Sequence, residues 1–248
     1  MTVKTAVVTG AGSGIGRAAA LALDRAGFRL AVMGRRSQPL VETASQASRS
    51  DVLVLPLDVA DDRAVADAFQ AVLAHCGRLD VLFNNAGIGT TPVTIDELPV
   101  DEWNRCLATN VTGAFLCSRQ AFGIMKSQNP RGGRIINNGS VSAHVPRPLT
   151  VPYTTTKHAI TGLTRSLGLD GRPFDIACSQ IDIGNAETDL TVRFRSGVVQ
   201  PSGTVMAEPV FGVAHCGDAV AYIASLPLDT NIPFLTIMAS QMPYLGRG

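Results

Sequence analysis

A turn crowded with glycine, set between an apolar run and a helical stretch, constrains this chain more than any other feature. Thr5-Ala-Val-Val-Thr9 leads into Gly10-Ala-Gly-Ser-Gly-Ile-Gly16, and Arg17–Ala26 then follows with helical periodicity. A strand that ends on glycines and opens directly into a helix lets main chain approach a diphosphate, whose charge then sits at the positive end of the helix dipole. Gly10, Ser13, Gly14, Ile15 and Gly16 are therefore expected to contact a dinucleotide, because the flanking strand and helix supply the context that a bare glycine triplet lacks.

The rest of the chain repeats this alternation. Short apolar runs predict strands near Thr5–Thr9, Arg29–Met33, Val52–Pro56, Val81–Asn84, Arg134–Asn138, Ile176–Ile181 and Phe234–Met238. Between them, helices are expected near Ile15–Ala26, Pro39–Ala47, Asp62–His75, Asp101–Ser127, Val151–Leu169 and Asp218–Ser225. Strands alternating with helices argue for an α/β fold, a parallel sheet of about seven strands with helices on both faces. With 248 residues, 46% hydrophobic and 17% charged, the chain suits a single domain with a substantial core. Two segments depart from the rhythm. Residues 184–217 lack a clear period and read as a substrate loop or lid with one short helix, and 144–152 place three prolines ahead of Tyr153 on its helix.

Composition narrows the function. A net charge of +1 with scattered basic residues gives no reason to expect nucleic acid or an anionic membrane as partner. Cys76, Cys106, Cys117, Cys178 and Cys216 form no C-x-x-C pair and have no histidine at zinc-ligand spacing, so no metal or disulfide framework is expected. The apolar run after Lys4 is too short for a leader or a membrane span, which points to a soluble, unprocessed protein of the reducing cytosol.

Tyr153 and Lys157 carry the chemistry. Four residues apart on a helix, they share a face. A phenol has a pKa of about 10 and exchanges protons poorly near neutrality; a nearby ammonium that lowered it toward about 7 would supply roughly 4 kcal/mol to the anion. The spacing alone also suits a helix whose tyrosine packs and whose lysine is solvated. Beyond the second strand, Met33-Gly34-Arg35-Arg36 offers no carboxylate for an adenosine ribose, while Arg35 presents a planar fork suited to a 2′-phosphate. NADP is thereby favoured over NAD, the alternative being two solvated arginines at a helix start. Asp58-Val59 is a candidate adenine wall or a helix cap, and Asn84-Asn85-Ala86-Gly87 ends the fourth strand where small residues let a ribose lie against main chain.

With the glycine turn, Asn84-Asn-Ala-Gly87, Ser140 and Tyr153-x-x-x-Lys157 in this order, the chain resembles the short-chain dehydrogenase/reductase family up to about residue 190. The resemblance implies a Rossmann-type, doubly wound sheet and hydride exchange between a nicotinamide and a carbonyl or alcohol carbon. Under it, Tyr153 is the general acid of reduction and base of oxidation, and Lys157 tunes it while holding the nicotinamide ribose. Ser140 polarises the substrate carbonyl, and Asn110, within Ala108-Thr-Asn-Val-Thr-Gly113, holds a water of a proton relay. Taken without the family, Ser140 reads as a strand-end cap and Asn110 as a helix-kink amide. Many members are dimers or tetramers, so a homo-oligomer is implied.

The chain also departs from its family. Ile183 stands where a proline is usual in Asp182-Ile-Gly-Asn-Ala-Glu-Thr188, which should leave the main chain there less rigid. Ile183 and Thr188 remain expected cofactor contacts, Thr188 on the carboxamide. The usual Gly-Gly ending is replaced by residues 236–248, which weakens analogy about assembly. Gly139 resembles the 3-oxoacyl acyl-carrier-protein reductases of the family. His144 and Asn185 are the polar candidates for substrate contact, and Arg147 is expected to be solvated. The expected substrate is a small or medium, fairly apolar ketone or alcohol; the rival reading is a catalytically silent nucleotide-binding scaffold of the same fold.

Overall fold

The computed structural model describes residues 3–188 and 191–244. Seven parallel strands form one sheet: β1 (Thr5–Thr9), β2 (Arg29–Gly34), β3 (Leu53–Pro56), β4 (Val81–Asn84), β5 (Gly133–Asn138), β6 (Ile176–Ile183) and β9 (Phe234–Ile237). Their spatial order is β3-β2-β1-β4-β5-β6-β9, so the order reverses between β1 and β4. Sheets of this kind bind ligands outside the strand ends at that reversal, where the glycine turn lies. The helices are α1 (Gly14–Arg25), α2 (Ser37–Ser45), α3 (Asp62–Cys76), α4 (Val100–Leu107), α5 (Gly113–Ser127), α6 (Val151–Asp170), α7 (Val192–Ser196) and α8 (Ala214–Ser225).

Strand residues alternate between two cores, as the period of two requires. Ala6, Val8, Leu30, Val32, Val81 and Phe83 pack with α1 and α8. Val7, Ala31, Met33, Leu82 and Ile135 pack with α3 and α5 on the opposite face. Burial on both faces is why these strands read as continuous apolar runs rather than alternating ones.

Three differences from the sequence reading have physical causes. The helix expected over Asp101–Ser127 is interrupted by a π-helical turn, Ala108–Thr112, centred on Asn110. Asn110 is buried and bonds Ile88 twice, donating to its carbonyl at 3.0 Å and accepting from its N–H at 2.8 Å, which ties that turn to the end of β4. Next, β6 continues two residues beyond the expected Ile181, pairing Asp182 with Thr236 and Ile183 with Ile237. An isoleucine keeps the N–H that proline lacks and favours extended backbone, so the ladder does not have to stop there. Finally, α8 starts at Ala214, four residues earlier than expected, and shortens the excursion after Gly184. That excursion holds α7 and a two-stranded ribbon, β7 (Val198–Val199) with β8 (Val205–Met206). Residues 245–248 of the altered C-terminal ending lie outside the described residues.

Candidate active site

The glycine turn is held by its neighbours rather than by a helix cap. Arg17 donates to the Gly12 carbonyl at 2.6 Å and to Thr43 Oγ1 at 3.0 Å, and Thr43 Oγ1 donates to the Ala11 carbonyl at 2.9 Å. On the other side, Thr9 Oγ1 accepts from the Asn85 and Ala86 N–H groups at 2.9 and 3.0 Å. Glycine is required at Gly10, whose φ is +63° and where a Cβ would meet Ala86 Cα at 2.9 Å. At Gly16 a Cβ would overlap the Gly10 carbonyl, so Gly16 works underneath the turn, by close packing, and not on the cleft wall where it was expected.

A cleft of about 340 Å³ runs across the strand ends. Gly10, Ser13, Gly14 and Ile15 line its floor; Arg35, Asp58 and Val59 line one end; Ala86, Gly87 and the Asn85 segment line the middle. Tyr153, Lys157, Ile183 and Thr188 close the other end. Arg36, Gly12, Thr109 and Asn138 also line it, and the sequence reading passed over them. Of these, Gly12 carried a signal: it stands in the same glycine run, and a Cβ there would meet Pro39 at 3.0 Å. Arg35 and Arg36 are exposed, and neither forms an ion pair within the described residues. Asp58 turns its carboxylate onto the Ala60 N–H at 3.0 Å, while the cap of α3 is Asp61, which accepts from the Ala64 N–H.

The reacting end is assembled from β4, β5 and α6. Lys157 is 7% exposed, donates to the Asn138 carbonyl at 2.7 Å, and lies with Nζ 5.4 Å from the centre of the Tyr153 ring. Ser140 leaves β5 in extended conformation, and its Oγ accepts from the Ser142 N–H at 3.1 Å. That bond occupies one lone pair and leaves the hydroxyl proton to be donated elsewhere. Between Ser140 and α6 the chain turns through Leu149, whose φ of +60° is left-handed. A branched side chain in that region is strained, so neighbouring bonds such as Thr150 Oγ1 to the Arg147 carbonyl at 2.8 Å must hold it.

One of the expected substrate contacts is occupied by protein. Asn185 is buried and spends both amide hydrogens, on Glu208 at 2.8 Å and on the Pro209 carbonyl at 3.1 Å. Arg147, expected in solvent, is instead half-buried: it donates to Glu208 at 2.6 Å and to Asn185 at 2.9 Å, and stacks on Phe194. Its partner lies 61 residues away in sequence, and no local pattern announces such a pairing. Burial pushes the Glu208 carboxyl up, but bonds from Gln200, Asn185 and Arg147 outweigh it and hold the group below the ordinary glutamate value. His144 remains partly exposed and is anchored through Nε2 to Asp182 at 2.8 Å. The five cysteines are unpaired; burial alone pushes the Cys117 thiol up to about 12, which leaves it inert as a nucleophile.

The chain is similar to known proteins in sequence and in fold. The family profile of short chain dehydrogenases matches residues 4–198. A 3beta-hydroxysteroid dehydrogenase of Mediterraneibacter gnavus is 31% identical over 207 residues, covering 83% of this chain and 74% of the relative. The crystal structure of acetoin dehydrogenase YohF from Salmonella typhimurium superposes with a TM-score of 0.81 at 31% identity, covering 95% of this chain and 94% of that one. That of a 3-ketoacyl-(acyl-carrier-protein) reductase from Brucella melitensis, complexed with NADH, gives 0.85 at 25% identity, covering 96% and 98%. Among the described residues no helix is long and apolar enough to cross a membrane. The glycine turn on a reversing parallel sheet, together with a profile match over most of the chain, places this protein in the short-chain dehydrogenase family, as an oxidoreductase acting on CH–OH and C=O groups.

Proposed function

We propose that the protein is an NADP(H)-dependent reductase of ketones, including 3-oxoacyl compounds, working reversibly on the matching secondary alcohols. One observation carries this reading: a single cleft has Tyr153 and Lys157 at one end, the glycine turn at its centre, and Arg35 with Arg36 at the far end. The cleft suits a dinucleotide because the glycine turn, with Gly10 and Gly14 at positive φ, lines it directly ahead of α1 and brings main chain to a helix N-terminus. A bound nicotinamide supplies or takes the hydride.

The protein's own residues do the remaining work. Ser140 offers its hydroxyl proton to the carbonyl oxygen and so stabilises charge that develops there. Tyr153 gives that oxygen a proton in reduction and removes it in oxidation. Lys157, fixed on the Asn138 carbonyl, holds the nicotinamide ribose and places its charge beside the ring of Tyr153. Asn110 keeps the end of β4 in place from the π-helical turn, and the proton relay through it is part of this proposal. Two exposed arginines that form no ion pair within the described residues favour a 2′-phosphate, hence NADP over NAD. The relatives named above act on hydroxysteroid, acetoin and ketoacyl compounds, which supports a ketone or secondary alcohol of modest size. Unpaired cysteines suit a reducing cytosol, and exposed Phe115, Leu169 and Tyr222 suit burial between copies of this chain.

The test is Tyr153→Phe. NADPH absorbance is followed against a panel of ketones, with NADPH binding measured by fluorescence. Wild type should turn over, and the variant should lose about 10²- to 10⁴-fold in kcat with cofactor affinity intact. Cofactor binding by the wild type without turnover of any carbonyl or alcohol would favour the silent scaffold, and an active Tyr153→Phe would remove the acid assigned here.

A further inference from the structure

Asp182 is a buried carboxylate, 1% exposed, at the C-terminal end of β6, and the reaction as described makes no use of it. Its Oδ1 accepts the main-chain N–H of Ser140 at 3.0 Å and Gln180 Nε2 at 2.7 Å, and its Oδ2 meets His144 Nε2 at 2.8 Å. Gln180 is itself fixed to the helix that carries Tyr153: Nε2 donates to Thr161 at 3.0 Å, and Oε1 accepts from Thr164 at 3.1 Å. Asp182 therefore joins Ser140 to α6 through one intervening side chain.

Gly139 belongs to the same construction. A Cβ at that position would overlap Asp182 Oδ1 and lie 2.8 Å from Gln180 Nε2. The φ of Gly139 is not in the left-handed region, so the backbone does not demand glycine there; the carboxylate does, at the tightest approach, with the Gln180 side chain behind it. This gives Gly139 a cause within this chain, distinct from any resemblance to acyl-carrier-protein reductases.

We propose that Asp182 is a positioning residue, which with Gly139 sets the main chain of Ser140 against the Tyr153 helix and holds His144 beside it. The proposal rests on the roles assigned above to Ser140 and Tyr153. Its chemistry is that of an acceptor: a carboxylate with two oxygens can take all three donors, and removing it would leave the buried Ser140 N–H without a partner. A serine free to shift by about 1 Å would lose its aim at the carbonyl oxygen, at a cost in rate on the order of 10²-fold.

The experiment compares Asp182→Asn, Asp182→Leu, Gly139→Ala and Gly139→Ala/Asp182→Ala, with Tyr153→Phe as control. Each is assayed on the best ketone of the NADPH panel, with NADPH affinity and thermal midpoint alongside. Asp182→Asn keeps an acceptor for Ser140 and should stay within about threefold of wild-type kcat, since His144 can accept from the new amide in its other tautomer. Asp182→Leu should lose about 10- to 100-fold in kcat, with KM and NADPH affinity little changed. Gly139→Ala should lower the thermal midpoint in the wild-type background and much less beside Asp182→Ala, which also decides the matter if Asp182→Leu fails to fold. Wild-type kcat in Asp182→Leu, equal losses in the Asn and Leu variants, or additive effects of Gly139→Ala and Asp182→Ala would overturn the proposal. An active Tyr153→Phe would instead overturn the reading on which it rests, whatever the Asp182 variants do.

Discussion

On the side of the cleft formed by β1, β4 and α1, the walls are main chain. Gly10, Gly14 and Gly87 present backbone to the space, and side chains such as Arg17, Thr43 and Thr9 reach in from behind to fix it. Next to Gly184, Ala186 and Thr188 of the cleft wall, residues 144–150 and 184–213 are joined by side chains that grip other side chains. Arg147, Asn185, Gln200 and Glu208 bond one another in a cluster, and main-chain bonds from the Glu187 N–H to the Phe211 carbonyl and from the Phe211 N–H to the Asn185 carbonyl clamp its base. The contrast follows from what each side must recognise. A diphosphate is the same in every dinucleotide and is met by N–H groups and a helix end. A carbonyl substrate varies, and a wall made of paired side chains is remade by changing one pair.

If that division holds, breaking the Arg147–Glu208 pair should disable the substrate side and spare the cofactor side. Arg147→Met removes the guanidinium that pairs with the buried Glu208, and breaking a buried pair on one side costs about 3–5 kcal/mol; replacing both by Met should recover much of it. The measurements are a thermal melt, limited proteolysis across 184–213 and NADPH affinity. Accelerated cleavage in the single variant with unchanged NADPH affinity would sharpen the contrast. A parallel loss of NADPH binding would break it.

The same contrast explains what could be read from sequence. Gly10 and Gly14 were legible because backbone at positive φ admits almost no other residue, so residue type reports geometry directly. Tyr153 and Lys157 were legible because helical spacing alone puts them on one face. Arg147 was misread, since an arginine in a proline-rich loop has no local reason to be half-buried and its partner comes 61 residues later. Asn185 was misread with it. Asp182 and Gly139 carry no local signal of their joint role, because neither has a meaning until β5 and β6 lie side by side with Asn138 opposite Ile181. The π-helical turn was half visible: Asn110 reads as a helix-kink amide, but nothing local interrupts the helix over Asp101–Ser127 until Ile88 is seen to claim that amide.

A smaller effect probes the cofactor side at its one charged end. Arg35→Ala should weaken NADPH by about 10- to 100-fold, as expected for losing a charge-assisted bond to phosphate, and leave NADH within about threefold. Equal losses for both nucleotides would remove the 2′-phosphate role. An intact preference for NADPH would shift it to Arg36, which lines the same end of the cleft.

The smallest effect is a pH dependence confined to the substrate side. In the folded protein Glu208 is held below its ordinary value of 4.5. A carboxyl whose pKa is lower folded than unfolded binds fewer protons in the folded state, so its contribution to stability is fully present above the unfolded value. It fades as the pH falls through the folded value. The difference in thermal midpoint between wild type and Glu208→Gln should therefore be constant from neutrality to about pH 5.5 and shrink progressively below about pH 4.5. NADPH affinity compared between the two proteins should show no such convergence, because the glycine turn is held by hydroxyl, carbonyl and guanidinium groups that do not titrate in that range. A midpoint difference that ignores pH would mean that Arg147 holds the segment by stacking on Phe194 rather than by its pair with Glu208, and the substrate wall would then depend on packing more than on charge.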